Sequence, residues 1–180
     1  MQTALDKNYF EIFGLPEAFD IDTAVMKGRY HDLQQQLHPD RFASATDQEK
    51  RLSVQMTALV NEAFQTLKNP LRRGRYLLQL RGIDTNEEID TAMDPAFLME
   101  QIELREALDA ACDSARPLPE LASLGHEVTQ AIDVHTDKLR DRLSQHNEIA
   151  LREARHTVRE LQFLEKLAQE IEQREEEFIK

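Results

Sequence analysis

The sequence predicts an all-α protein in two units, an N-terminal antiparallel helical hairpin and a C-terminal three-helix bundle. Three observations carry this. Only 5 Gly and 6 Pro occur among 180 residues, while Leu, Ala, Glu, Gln and Arg abound, a mixture that favours helix over sheet. Apolar residues recur at i, i+3, i+4 and i+7 through long segments, and no segment alternates with the period of a strand. Capping residues and prolines punctuate those segments at helical intervals.

The elements follow in order. Residues 8–14, NYFEIFG, form a short apolar turn closed by Gly14 and Pro16. Asp20 or Asp22 caps the next helix, where Ala24, Leu33 and Leu37 recur with helical spacing. Proline restricts the residue before it, so this helix stops near Leu37 or His38, ahead of Pro39. Thr46-Asp47-Gln48-Glu49 is a capping box for a third helix. Its stripe is Leu52, Met56, Leu59, Val60, Ala63, Phe64 and Leu67, and Asn69-Pro70 ends it. A short basic stretch follows over residues 71–78. Residues 83–94 are acidic and poorly periodic, and are read as a linker between a first domain at 1–82 and a second at 95–180.

In the second domain, Asp94-Pro95 reads as an N-cap followed by proline at the first helical position. That helix runs to about Ala115 and ends at Pro117-Leu118-Pro119. The next stripe, Leu121, Leu124, Val128, Ile132, His135, Leu139 and Leu143, is close to a heptad. A last helix carries Leu151, Ala154, Val158, Leu161, Leu164, Ala168 and Ile171. Short connections between three helices imply an antiparallel bundle.

Charge divides the chain in the same place. Residues 1–82 hold 11 basic and 10 acidic residues, a net +1, whereas residues 83–180 hold 11 and 24, a net −13. An acidic second half disfavours a nucleic-acid partner, which selects a basic stripe. The lone Cys112 excludes a disulfide framework and a multi-cysteine zinc site, and fits a reducing compartment. No run approaches the roughly 20 apolar residues of a membrane-spanning helix, and the N-terminus lacks a secretory pattern. The expectation is a cytoplasmic protein with no membrane partner and no cofactor. His31 and His38 lack the further ligands a metal site needs. No convergent acid, base and nucleophile appears, so no catalytic residue is assigned.

The loop between the two N-terminal helices reads His38-Pro39-Asp40. Upstream stand Tyr9-Phe10-Glu11-Ile12-Phe13-Gly14-Leu15, then Tyr30 and Leu33; downstream stands Arg72-Arg73-Gly74-Arg75-Tyr76. This arrangement, over residues 8–77, resembles the J-domain family. The resemblance implies docking on an HscA/DnaK-type ATPase chaperone and stimulation of its ATP hydrolysis, with the chemistry performed by the partner. In that role Pro39 fixes the loop backbone, and Asp40 offers an acceptor to an arginine of the partner. Lys27, Arg29 and Arg41 supply electrostatic steering, and His38 need transfer no proton. One departure from the family pattern is His31-Asp32, followed by Gln34-Gln35-Gln36, where J-domains often carry Arg-Lys. The thinner positive face implies a dedicated chaperone.

The helix after Pro95 has two apolar faces. With Leu98 at zero, Phe97, Leu104, Leu108, Ala111 and Cys112 cluster at about 220–320° and complete a core stripe. Leu98, Met99 and Ile102 fall at about 0°, 100° and 40°, among Glu103, Arg105, Glu106 and Asp109. An exposed apolar cluster rimmed by charge is the composition of a partner-binding surface. On the last helix Phe163 lies about 140° from Val158, off the core arc at about 220–300°, where an adjacent helix brings it beside that cluster. Residues 97–106, FLMEQIELRE, and residues 158–164, VRELQFL, resemble the J-type co-chaperone family of iron–sulfur cluster biogenesis. The resemblance implies that Leu98, Met99, Ile102, Glu103, Arg105, Glu106 and Phe163 bind an IscU-type scaffold for delivery to the chaperone. The rival reading is a general J-type folding co-chaperone. It lacks support, since the chain has no Gly/Phe-rich region and no cysteine-rich zinc region.

Overall fold

The computed structural model describes residues 7–42, 45–85, 95–145 and 147–179. Among them are seven α-helices, one short 3-10 turn and no strand. The chain separates into two compact units, residues 1–77 and 78–180. Of the linker, residues 86–94 lie outside the described residues, as does the cap Asp94; Thr85 is buried in the second unit.

In the first unit, α1 (Tyr9–Phe13) is closed at its start by a reciprocal cap. Asn8 accepts from the Glu11 N–H at 3.0 Å, and the Glu11 carboxylate accepts from the Asn8 N–H at 2.8 Å. Gly14, at φ 61°, ends the helix in the left-handed region that a Cβ disfavours. Helix α2 (Thr23–Gln36) is capped by Asp22, whose carboxylate accepts from the Ala24 and Val25 N–H groups. Its inward stripe is Met26, Tyr30, Leu33 and Leu37. Ala24, which the spacing placed on that stripe, is exposed, and Met26 takes the buried place. Helix α3 (Asp47–Lys68) opens with the Thr46–Glu49 capping box and buries Met56, Val60, Ala63, Phe64 and Leu67.

The basic stretch after Asn69 is itself a helix, α4 (Pro70–Leu80). Proline stands at its first position, where a backbone donor is dispensable, and Asn69 caps it by accepting from the Arg72 N–H at 2.8 Å. Arg73 breaks the apolar rhythm yet is buried. Its guanidinium donates to the Leu67 carbonyl at 2.7 Å and lies 4.8 Å from the Phe19 ring centre. Tyr76 pins α1: its hydroxyl accepts from the Tyr9 N–H at 3.0 Å, and the two rings stack at 4.3 Å. Phe64 joins the other helices, stacked on Tyr30 at 4.0 Å and edge-on to Phe13 at 6.4 Å.

Burial, then a hydrogen bond to Glu62 and that carboxylate's charge, push the Tyr9 hydroxyl from 10.0 to about 12. The folded state therefore holds this proton more tightly than the unfolded chain. The contribution is present below pH 10 and is lost as pH rises towards about 12. Urea unfolding across this window is expected to show a declining midpoint, and a shallower decline in Tyr9→Phe.

The second unit contains α5 (Pro95–Asp113), α6 (Pro117–Ser144) and α7 (Glu148–Ile179). Helix α5 ends at Asp113 rather than Ala115. Pro117-Leu118-Pro119, read as a connection, supplies the first turn of α6, where proline is tolerated. The core joins Leu104, Leu108 and Ala111 of α5 to Leu121, Leu124 and Val128 of α6 and Leu164, Leu167 and Ile171 of α7. Helices α6 and α7 continue beyond it, where Leu139, Leu143, Ala150 and Ala154 are buried.

Candidate functional site

Two surfaces carry the residues singled out above. The first is the connection after α2. Leu37 is buried and anchors the helix end, its N–H donating to the Leu33 carbonyl at 2.9 Å. Beyond it, Pro39–Phe42 form a 3-10 turn, closed by the Arg41 N–H donating to the His38 carbonyl at 3.0 Å. The side chains it displays are open to solvent: His38 is 59% exposed and Asp40 90%. The Asp40 N–H donates to His38 Nδ1 at 3.3 Å, which leaves Nε2 as the ring's donor. The Asp40 carboxylate, 3.5 Å from Nδ1, keeps open acceptor sites for an arginine fork.

His38 also closes a concavity of about 410 Å³ lined by His31, Gln34, Gln35, Leu37 and Thr57. Its polar members His31, Gln34 and His38 stand at i, i+3 and i+7, a spacing that puts them on one face, whereas the sequence reading took Gln34 and Gln35 as missing positive charge and set His31 aside as a metal ligand. Tyr30 stiffens this face: its hydroxyl donates to Asn61 at 2.9 Å and accepts from Gln34 at 2.5 Å. The basic residues do not converge. Lys27 and Arg29 are both exposed, but two residues on a helix are about 200° apart. Arg29 instead lines a second concavity, of about 280 Å³, with Glu11, Asp32 and Gln36. Arg41 is exposed on the 3-10 turn beside Asp40.

The second surface is on α5. Phe97, Leu104, Leu108 and Ala111 are buried, so the helix has spent its core stripe. Leu98, Met99 and Ile102 nevertheless stand 42%, 57% and 51% exposed. Glu103, Arg105 and Glu106 are exposed around them. Phe163 of α7 is half-buried at the edge of this patch. Its ring meets Phe97 edge-on at 5.9 Å, and the Arg105 guanidinium lies over it at 5.6 Å. Arg105 is held there by Glu170, 3.6 Å away, a residue the sequence reading did not single out. Its place about two helical turns after Phe163 gives no signal without the α5 partner. Cys112 is half-buried against the core, the place of a small hydrophobe.

Among the described residues, no group of three His, Cys, Asp or Glu side chains is placed to hold a metal ion. No helix there is long and apolar enough to cross a membrane.

Residues 93–172 match the family model described as the HSCB C-terminal oligomerisation domain. A co-chaperone protein HscB homolog from Shewanella baltica is 47% identical over 165 residues, covering 91% of this chain and 94% of that one. A second, from Shewanella amazonensis, is 42% identical and covers 96% and 99%. The solved chaperone HscB from Vibrio cholerae superimposes with a TM-score of 0.84 at 38% identity, over 95% of this chain and 99% of that one. The human co-chaperone protein HscB gives 0.83 at 30% identity, over 93% and 81%.

Proposed function

The chain belongs to the HscB co-chaperone family, and from that premise we propose that it is a two-handed adaptor in iron–sulfur cluster assembly. One hand is the patch of Leu98, Met99, Ile102 and Phe163, rimmed by Glu103, Arg105 and Glu106, which holds an IscU-type scaffold. The other is the His38-Pro39-Asp40 turn, with Lys27, Arg29 and Arg41, which engages an HscA-type chaperone and stimulates its ATPase. The chain performs no chemistry of its own; it regulates a partner enzyme. The setting is the cytoplasm, where a free thiol such as Cys112 stays reduced.

The observation that carries this reading is the exposed apolar cluster on a helix whose core stripe is already complete. Contiguous apolar surface within a charged rim is held exposed at a cost in solubility, and a partner that covers it removes that cost. Tethering supplies the mechanism. Once the second unit holds the scaffold, the first unit presents it to the chaperone at the high effective concentration of a linked pair. Hydrolysis then locks the chaperone on its client. The sparse basic face, with Gln34 and Gln35 beside His38, supports a dedicated chaperone rather than a general one.

Calorimetric titration with an IscU-type scaffold tests the first hand. A one-to-one complex with a negative heat-capacity change, the mark of apolar burial, is expected. Absence of binding at a scaffold concentration of about 100 μM, the weak end of specific association, would refute it.

A further inference from the structure

Beneath the patch, a histidine and a glutamate occupy a place in the bundle that apolar side chains fill elsewhere. We propose that His135 and Glu160 are a positioning pair that fixes the scaffold-binding patch through Phe97, an inference that rests on the scaffold-binding reading above. His135, on α6, is buried at 8% exposure. Its Nδ1 lies 2.8 Å from the Ala131 carbonyl, which can only accept, so Nδ1 donates there. Its Nε2 faces the Glu160 carboxylate of α7 at 3.4 Å. The two contacts restrain the ring from both of its nitrogens.

The ring is used on its remaining side. Phe97 of α5 packs against it at 6.2 Å, tilted by 54°, and the same Phe97 meets Phe163 edge-on. The contacts close a circuit: Glu160 to His135, His135 to Phe97, Phe97 to Phe163. Phe163 and Glu160 are three residues apart on one face of α7. Phe97 directly precedes Leu98 and Met99, so the circuit holds the first turns of α5 in register with α7. Apolar contacts alone are non-directional and let helices slide or rotate by fractions of a turn. A buried polar pair selects one register, at a cost in stability relative to a well-packed apolar pair. The separation between Phe163 and the Leu98/Met99/Ile102 cluster is thereby set by two residues that touch no partner.

The test is a set of scaffold titrations with the full chain, run beside the ring-proton NMR shifts of Phe163. His135→Phe keeps an aromatic ring against Phe97 but takes the imidazole away from the half-buried Glu160 carboxylate. It is expected to weaken binding roughly tenfold and to move the Phe163 resonances. Glu160→Gln keeps a partner for Nε2 and is expected to bind within about twofold of the parent, a conservative rescue. The double variant His135→Phe/Glu160→Met removes both polar groups, keeps the volume and folds even where His135→Phe alone does not. Roughly tenfold weaker binding by this folded double variant, with displaced Phe163 resonances, is the expected result. Parental affinity and unmoved resonances in the double variant would overturn the proposal and leave the pair as structural only. Leu98→Ala in the same titration separates the two readings. If it binds like the parent, the patch itself is misassigned; if it loses binding while the double variant does not, only the positioning pair fails.

Discussion

Leu98→Ala combined with Phe163→Ala is expected to lower scaffold affinity by 100-fold or more, roughly 3 kcal/mol spread over two interface anchors. ATPase stimulation measured without scaffold should persist, because both residues belong to the second unit. Phe163 also packs on Phe97, so its truncation leaves a cavity and costs stability as well. Leu98→Ala with Ile102→Ala carries the same test at two exposed positions, where the fold is barely affected. Parallel loss of scaffold binding and scaffold-free stimulation would mean that the cluster serves the fold rather than a partner.

Asp40→Asn is expected to return chaperone ATPase activity to its unstimulated rate while leaving the scaffold affinity unchanged. The carboxylate is 90% exposed and its contact to His38 is a long one, so the folded protein loses little. What the substitution removes is the charged acceptor for an arginine of the partner, and truncating one side of a desolvated charge pair costs about 2–5 kcal/mol. Steady-state hydrolysis with saturating variant measures this. Stimulation equal to that of the parent would show that the turn is recognised by shape alone.

Much of this arrangement was readable from residue types, and the exceptions share a cause. Caps were legible because they are local: Asp22 and the Thr46–Glu49 box act within one turn and sit where the pattern placed them. Long stripes were legible because burial repeats. Helix α4 was hidden because Arg73 interrupts its stripe, and tertiary partners, Leu67 and Phe19 among them, make a buried guanidinium acceptable there. Ala24 was preferred over Met26 because helix α2 is mostly polar, and so few apolar residues leave its phase poorly determined. At the α5 patch, the helical wheel separated Leu98, Met99 and Ile102 from the core, since one helix has room for one core stripe. It placed Phe163 off its own stripe, but not that Phe97 and Arg105 of another helix enclose it. Glu170 and Glu160 depend likewise on neighbours distant in sequence, whereas the scattering of Lys27 and Arg29 follows from their two-residue spacing on one helix.

If one chain couples scaffold binding to chaperone activation, the coupling is visible in steady-state ATP hydrolysis by an HscA-type chaperone. The chaperone would be assayed with the parent protein and with His38→Gln, each with and without an IscU-type scaffold. Stimulation by the parent is expected to rise more than additively when scaffold is present, and His38→Gln is expected to give none under either condition. Additive stimulation, or stimulation that survives His38→Gln, would contradict the coupling.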